Sequence, residues 1–185
     1  DAVAAEHIAR NAEQPFEVLR RIMRDDVPAA TWKVRFFTPG VTEEFEVEID
    51  PRSRLVVGET HLIEEGAPGA TLEREPASEI ARAALGRLSI DPGMLELKDA
   101  VAVPMPDRRD WVFHFERIGP IAPDAWMRVD VRLGGNRVVH VGRTVRIPEE
   151  VRREAETSTF VNSLLFFCKL AGAIFILVVA GAGAV

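Results

Sequence analysis

The feature that most limits the fold of this chain is a repeated order of strand signals. Residues 31–58 and 110–142 each contain a tryptophan followed four residues later by phenylalanine, and Trp111 lies 79 residues after Trp32. Each stretch continues through a loop with Pro and Gly, an alternating segment, a tight turn and a segment that begins Arg-apolar-Val. Alternation with a period of two is typical of strands. The repeat therefore predicts two similar antiparallel sheets.

A helix is predicted before each set of strands. Residues 76–88 begin with proline and keep their apolar side chains on one helical face. Residues 2–11 show the same spacing. Residues 16–23 fit either a strand or a helix, and we favour a helix. Residues 95–103 alternate and predict a further strand, and Gly134 opens a glycine-rich hairpin turn.

These signals predict an α+β fold, because a sheet with one apolar face needs a helix over it. We expect two tandem units of one helix and one antiparallel sheet, at 1–65 and 71–147, separated by a Gly- and Pro-containing linker at 66–69. A juxtamembrane helix is predicted at 148–159, beginning at a Pro-Glu-Glu sequence, and a transmembrane helix at 160–185.

The segment 160–185 differs in composition from everything before it. Of the 23 Lys and Arg and the 29 Asp and Glu residues of the chain, only Lys169 lies in it. A continuous helix of this length spans roughly 39 Å, more than the ~30 Å hydrocarbon core. The segment is therefore predicted to lie in the lipid bilayer, and the alternative is a buried helix of a soluble protein. Arg152 and Arg153 are offset by neighbouring glutamates, so the orientation stays open.

Charge and cysteine content narrow the classes of partner. The net charge is −6, and basic residues occur at most in pairs. Phosphate backbones bind clustered cations, so nucleic acid is not an expected partner. The single cysteine, Cys168, has no partner for a disulfide or a metal site. Because the chain starts at Asp1 and stops within an apolar run, we expect a fragment of a longer protein.

The four histidines do not form a recognisable metal or catalytic motif. The sequence His61-Leu-Ile-Glu-Glu resembles half of a zinc-binding helix, but Pro and Gly follow it and favour a surface loop. His114 and His140 alternate with apolar neighbours and are expected on the outer, solvated faces of their strands. His7 is isolated.

Other catalytic signatures are also missing from the sequence. It contains no Gly-x-Ser-x-Gly elbow, phosphate-binding loop or EF-hand. The carboxylate pairs Glu43-Glu44 and Asp25-Asp26 are interpreted as turn and solvent charges. We therefore predict no catalytic, cofactor-binding or metal-binding residue in this fragment, and no cofactor.

An aromatic set formed by Trp111, Phe113, Phe115 and Trp126 allows two interpretations. Core packing under a helix is the favoured one. The other is a groove for an extended peptide, which could also add as a strand to an open sheet edge.

These motifs resemble those of two protein families. An Asp-Pro or Gly turn between an alternating strand and an Arg-apolar-Val strand, at 45–57 and 127–141, resembles PepSY-type domains. The segments Trp32–Phe37, 64–70 and Val145–Glu149 together resemble the N-terminal region of bacterial CPBP-type (CAAX protease and bacteriocin-processing) intramembrane endopeptidases. This resemblance covers roughly residues 30 to 185.

The resemblance implies a membrane-tethered regulatory or substrate-binding domain on the extracytoplasmic side. The parent protein would hydrolyse peptide bonds in the membrane, and this part would not, because the family motif Glu-Glu-x-x-x-Arg is not matched: Glu154 stands at the arginine position. The alternative is a single-pass, envelope-facing binding or inhibitory module without enzyme activity. A soluble enzyme is a third hypothesis, which no constellation of residues supports.

Overall fold

A computed structural model of the protein describes residues 2–88, 90–155 and 157. The chain divides into two compact units, residues 1–146 and 147–185. Within the described residues, no helix has both the length and the apolar character that crossing a membrane requires. The predicted transmembrane helix 160–185 lies outside the described residues. In the second unit, residues 149–155 are helical, within the predicted juxtamembrane segment 148–159.

The first unit is α+β, as predicted, and its sheet is antiparallel throughout. Its helices are α1 (Ala2–Asn11), α2 (Pro15–Asp25) and α3 (Arg74–Leu85), with 3₁₀ turns at Gly86–Leu88 and Pro92–Met94. Its strands are β1 (Trp32–Phe37), β2 (Glu44–Ile49), β3 (Val56–Leu62), β4 (Leu95–Met105), β5 (Arg108–Arg117), β6 (Trp126–Gly134) and β7 (Arg137–Arg146).

The helix predictions are confirmed with small shifts. Helix α1 has the predicted bounds, and the ambiguous segment 16–23 is helical, within α2. Pro15 lies in the first turn of α2, where a missing N–H leaves no helical bond unmade. Helix α3 begins at Arg74, two residues before the predicted start, and changes to a 3₁₀ turn at Gly86.

All seven strands form one sheet in the order β1-β2-β3-β7-β6-β5-β4. The strands of both predicted units thus join through β3 and β7. The join consists of three residue pairs, among them Gly58 with Gly142. These two glycines end the equivalent Arg-apolar-Val segments of the sequence repeat. Their direct pairing relates β1-β2-β3 to β5-β6-β7 by a local pseudo-two-fold axis.

The core lies between α3 and the strands β5, β6 and β7. Helix α3 turns Ala77, Ala81 and Ala84 inward, and their small side chains allow the helix to approach the sheet closely. Phe113 and Phe115 on β5 are completely buried beneath it. The corresponding face of the first strands is different, since Trp32 on β1 keeps 68% of its surface exposed.

The predicted linker 66–69 is docked on the sheet. The buried guanidinium of Arg108 donates hydrogen bonds to the carbonyls of Glu64, at 3.2 Å, and Ala67. The backbone N–H of Gly69 donates to the carbonyl of Asp107 at 3.3 Å. Gly135, in the β6–β7 turn, has φ of +62°, and a Cβ there would lie 2.8 Å from the backbone nitrogen of Ala70.

Truncating the side chain at two equivalent positions of the repeat should change the stability by very different amounts. Phe115→Ala removes a ring that is 0% exposed and should lower the free energy of unfolding by about 3–5 kcal/mol. Phe36→Ala, at the equivalent position of β1, removes a ring that is 56% exposed and should change it by less than about 0.5 kcal/mol. Denaturant unfolding followed by circular dichroism measures both, and equal losses would contradict this packing.

The docked linker gives a second prediction. Gly135→Ala combines a positive φ with a backbone clash and should destabilise the protein by at least about 1 kcal/mol. Gly66→Ala is the matched control, because a Cβ at Gly66 meets nothing within 4 Å and should be neutral or stabilising by up to about 1 kcal/mol. The same denaturation assay compares the two, and a harmless Gly135→Ala would show that the linker is not docked there.

Candidate functional site

The outer edge of β1 is an unpaired backbone edge among the described strands of the sheet. Strand β1 pairs with β2 along one side over its full length, from Trp32 opposite Ile49 to Phe37 opposite Glu44. Within the described part of the chain, no strand pairs with its other side. The free N–H and C=O groups of an edge strand are a template for another extended chain.

The two faces of β1 differ in character. Trp32, Val34 and Phe36 share the face that, further along the sheet, lies beneath α3. Lys33 and Arg35 alternate with them and point to the opposite face. An extended segment added to this edge would therefore meet apolar side chains on one face, and on the other the two cations together with the exposed ring of Phe37.

The cations of β1 are held by carboxylates of β2. Lys33 Nζ lies 3.0 Å from oxygens of both Glu46 and Glu48. Arg35 Nε and Nη2 each lie 2.6 Å from one of the two carboxylate oxygens of Glu44. These bonds raise the pKa of Lys33 and Arg35 and lower the pKa of Glu44. The Lys33 and Arg35 side chains nevertheless remain 60% exposed.

A groove of about 580 Å³ lies beside β3, next to this apolar face. Phe45 lines it and stacks on His61, with ring centroids 4.0 Å apart. His61 Nε2 lies 2.5 Å from Glu43 Oε1, which is also 3.6 Å from Arg137. Helix α3 and the turn after it contribute Ile80 and Arg87. The groove mixes both signs of charge with apolar walls.

The expected surface loop at His61 is wrong. His61 is part of β3, and its side chain is only 14% exposed. Glu64 accepts a hydrogen bond from Thr42 Oγ1 at 2.6 Å. Among the residues that the structure describes, no three His, Cys, Asp or Glu side chains lie close enough together to hold a metal ion.

His114 and His140 lie on the face opposite Phe113 and Phe115, as predicted, but they are half-buried and hydrogen-bonded. His114 Nδ1 lies 2.6 Å from Asp130 Oδ1. His140 Nδ1 lies 3.0 Å from Thr60 Oγ1. Burial, aided by the charge of Arg132, lowers the pKa of His140 below its ordinary value of 6.5.

The remaining histidine and the carboxylate pairs have specific partners. His7 Nδ1 lies 3.3 Å from the Asn11 amide on α1. Asp26 is buried and bonded to Arg117 at 2.6 Å, so its interpretation as a solvent charge is wrong. Glu43 and Glu44 are bonded across strands, whereas Asp25 pairs with Arg24 at the exposed end of α2.

The predicted aromatic set divides between the two faces of the sheet. Trp111, Phe113 and Phe115 form core beneath α3, which confirms the favoured interpretation. Trp126 does not belong with them, because it faces the other side of the sheet, with the guanidinium of Arg146 4.5 Å from its ring.

The exposed aromatic set instead follows β1, and it was not among the predicted site residues. The sequence Trp-Lys-Val-Arg-Phe-Phe alternates apolar and basic residues, and the first strand of a meander lies at the edge of that meander. Together, these two features could have indicated an exposed aromatic row on β1.

The other edge of the sheet, β4, is less regular. Its pairing with β5 shifts register between Leu97 and Asp99, and Pro104 lies near its end. Bulges and prolines hinder the addition of another strand. Strand β1 is therefore the better candidate for binding an extended partner.

A scan against protein-family models and searches of curated proteins and of solved structures gave no match to this chain.

The environment of His140 predicts an unusual titration. Its imidazole should titrate below pH 6.5, because burial and Arg132 oppose its charge. A lowered folded-state pKa means that this group's stabilising contribution is present above the unfolded pKa and is lost as the pH falls through the folded pKa. A histidine NMR titration measures the value, with His140→Asn to assign the signal, and a pKa at or above 6.5 would contradict this environment.

Proposed function

We propose that residues 1–146 are a non-catalytic binding domain that captures an extended polypeptide segment along the outer edge of β1. The open edge of β1, flanked by exposed aromatic side chains, is the observation that carries this proposal. Backbone hydrogen bonds would hold the segment, and contacts with alternate side chains would select it.

The aromatic side chains of β1 supply the apolar part of this interaction. Trp32 and Phe36 present large, rigid surfaces, and the neighbouring Phe45 is 48% exposed. Exposed apolar side chains clustered on one face are typical of interaction sites. Covering them with a partner's side chains would remove apolar surface from water and so stabilise the complex.

We further propose that this domain belongs to a CPBP-type intramembrane protease, as its regulatory or substrate-binding part. The order of the motifs at 32–37, 64–70 and 145–149 supports this. We also propose that the fold of this domain consists of two PepSY-like units. The sequence repeat and the pseudo-two-fold pairing of Gly58 with Gly142 support this.

In this proposal, residues 160–185 hold the domain at the lipid bilayer, with residues 1–146 on the extracytoplasmic side. The partner is an extended peptide or the parent protein's own membrane helices. Peptide-bond hydrolysis would take place in other membrane helices of the parent. Reading the gene beyond Val185 tests this part: further apolar helices that carry Glu-Glu-x-x-x-Arg would support it. An early stop codon would remove the protease and leave a single-pass binding module.

Strand addition itself is tested with two peptides and the full 185-residue chain in detergent micelles. One peptide copies residues 43–49, and the other replaces its glutamates with glutamine. We expect saturable binding below about 1 mM, with amide NMR shifts along β1 and at the Trp32 indole. Phe36→Ala should weaken binding without loss of stability, because Phe36 is exposed.

Backbone methylation provides the decisive control. Each peptide is made in two N-methylated forms, with methyl groups on one or the other set of alternate amides. Because an added strand points only every second N–H toward its neighbour, one form should bind and the other should not. If both forms bind equally, or if neither unmethylated peptide binds, the strand-addition proposal fails.

A further inference from the structure

We infer that the segment bound at β1 alternates apolar and acidic residues. This inference rests on the proposed strand addition and specifies its ligand. In such a segment, apolar side chains would pack beside Trp32, Val34 and Phe36, and carboxylates would pair with Lys33 and Arg35 on the opposite face.

Antiparallel pairing determines which side chains of two neighbouring strands share a face. Residues paired across two antiparallel strands lie on the same face of the sheet, and successive residues alternate between faces. Any segment added to β1 therefore places every second side chain in the row of Trp32, Val34 and Phe36. Its other side chains lie in the row of Lys33 and Arg35.

Strand β2 shows which partner these rows accept on the inner side of β1. Its sequence, Glu-Phe-Glu-Val-Glu-Ile, alternates acidic and apolar residues along its whole length. Its glutamates make the ion pairs with Lys33 and Arg35, and Val47 and Phe45 lie opposite Val34 and Phe36. An outer segment of the same type would repeat this pairing on the other side of β1.

The two cations can interact with further carboxylates. Lys33 already binds two glutamates of β2, and more than half of its side chain is still exposed. A carboxylate on the outer segment would lie two strand spacings, about 10 Å, from the glutamates of β2. That distance is comparable to the screening length at physiological salt, and the cations lie between the two acidic rows.

A second copy of the chain is a poorer occupant of this edge. Antiparallel pairing of β1 with its own copy must keep the two faces matched. The registers that overlap most of the strand then place Lys33 opposite Arg35, or Arg35 opposite itself. Like charges directly opposite each other destabilise a sheet. The same residues that favour an acidic segment therefore oppose self-association.

The inference is tested by comparing three peptides against the full chain in detergent micelles. They are the copy of residues 43–49, its all-glutamine analogue, and an analogue with lysine in place of glutamate. We expect the acidic peptide to bind more tightly than the glutamine peptide by about two- to fivefold for each carboxylate that meets Lys33 or Arg35, as for exposed ion pairs. The lysine peptide should bind most weakly, and raising the salt concentration should reduce the differences.

Protein variants locate the preference. Lys33→Gln and Arg35→Gln together should abolish the advantage of the acidic peptide over the glutamine peptide. Lys98→Gln is the matched control, because Lys98 is an exposed lysine on the opposite edge strand and pairs with Glu96 at 2.6 Å. It should change nothing.

The outcomes separate this inference from the proposed function. Equal binding of the acidic and glutamine peptides, with β1 shifts and the expected effect of N-methylation, would overturn the acidic preference and leave strand addition intact. A preference that survives the double variant would also overturn it. Dimers in sedimentation experiments that dissociate on Phe36→Ala would identify a second copy as the occupant. Absence of all peptide binding would remove the proposed function itself.

Discussion

The short ladder between β3 and β7 is the interaction on which the rest of the structure depends. It consists of three residue pairs, beginning with Gly58 opposite Gly142, and it joins two meanders into a single sheet. Gly142 leaves room for the His140 ring, since a Cβ there would lie 3.0 Å from its Nε2. Gly142 thus lets a neighbouring side chain lie over the backbone of β7.

This join also determines which strands are left at the edges. Because β3 and β7 meet in the middle, the first strand of each meander, β1 and β4, is placed at the outside. A bulge and a proline interrupt β4, whereas β1 is regular and pairs over its full length. The helix α3 covers one end of the sheet, so the two halves of the repeat share an arrangement of strands but differ in burial.

Local signals predicted the elements well. Helical spacing predicts α1 and α3 and alternation locates the strands, because both periodicities act over a few residues, whereas residues 16–23, within α2, fitted either a strand or a helix. The pairing of β3 with β7 was not predicted, since it joins residues about 80 positions apart and depends on the fit of both meanders. The division of the chain into two units at 66–69 remains a prediction. In the structure, the Arg108 side chain is hydrogen-bonded to backbone carbonyls in and just before that segment.

Errors at individual residues have similar physical causes. The assignment of Trp126 to the core row failed because strand alternation cannot be counted across the irregular loop between β5 and β6. The loop at His61 was predicted because Pro68 and Gly69 follow it. In the structure, β3 continues to Leu62, and these two residues lie beyond its end. Predicting the exposed row on β1 requires the order of the strands as well as their alternation. That order is known only from the complete sheet.

The position of β7 has a mechanical consequence. This strand leads out of the first unit at Arg146, and it lies in the centre of the sheet with ladders to β6 on one side and β3 on the other. A pulling force applied to the chain at Arg146 is therefore shared between two sets of backbone hydrogen bonds. The same force applied at Trp32 would act on one set and could peel β1 away alone. The domain is thus strongest where its chain continues and weakest at its open edge.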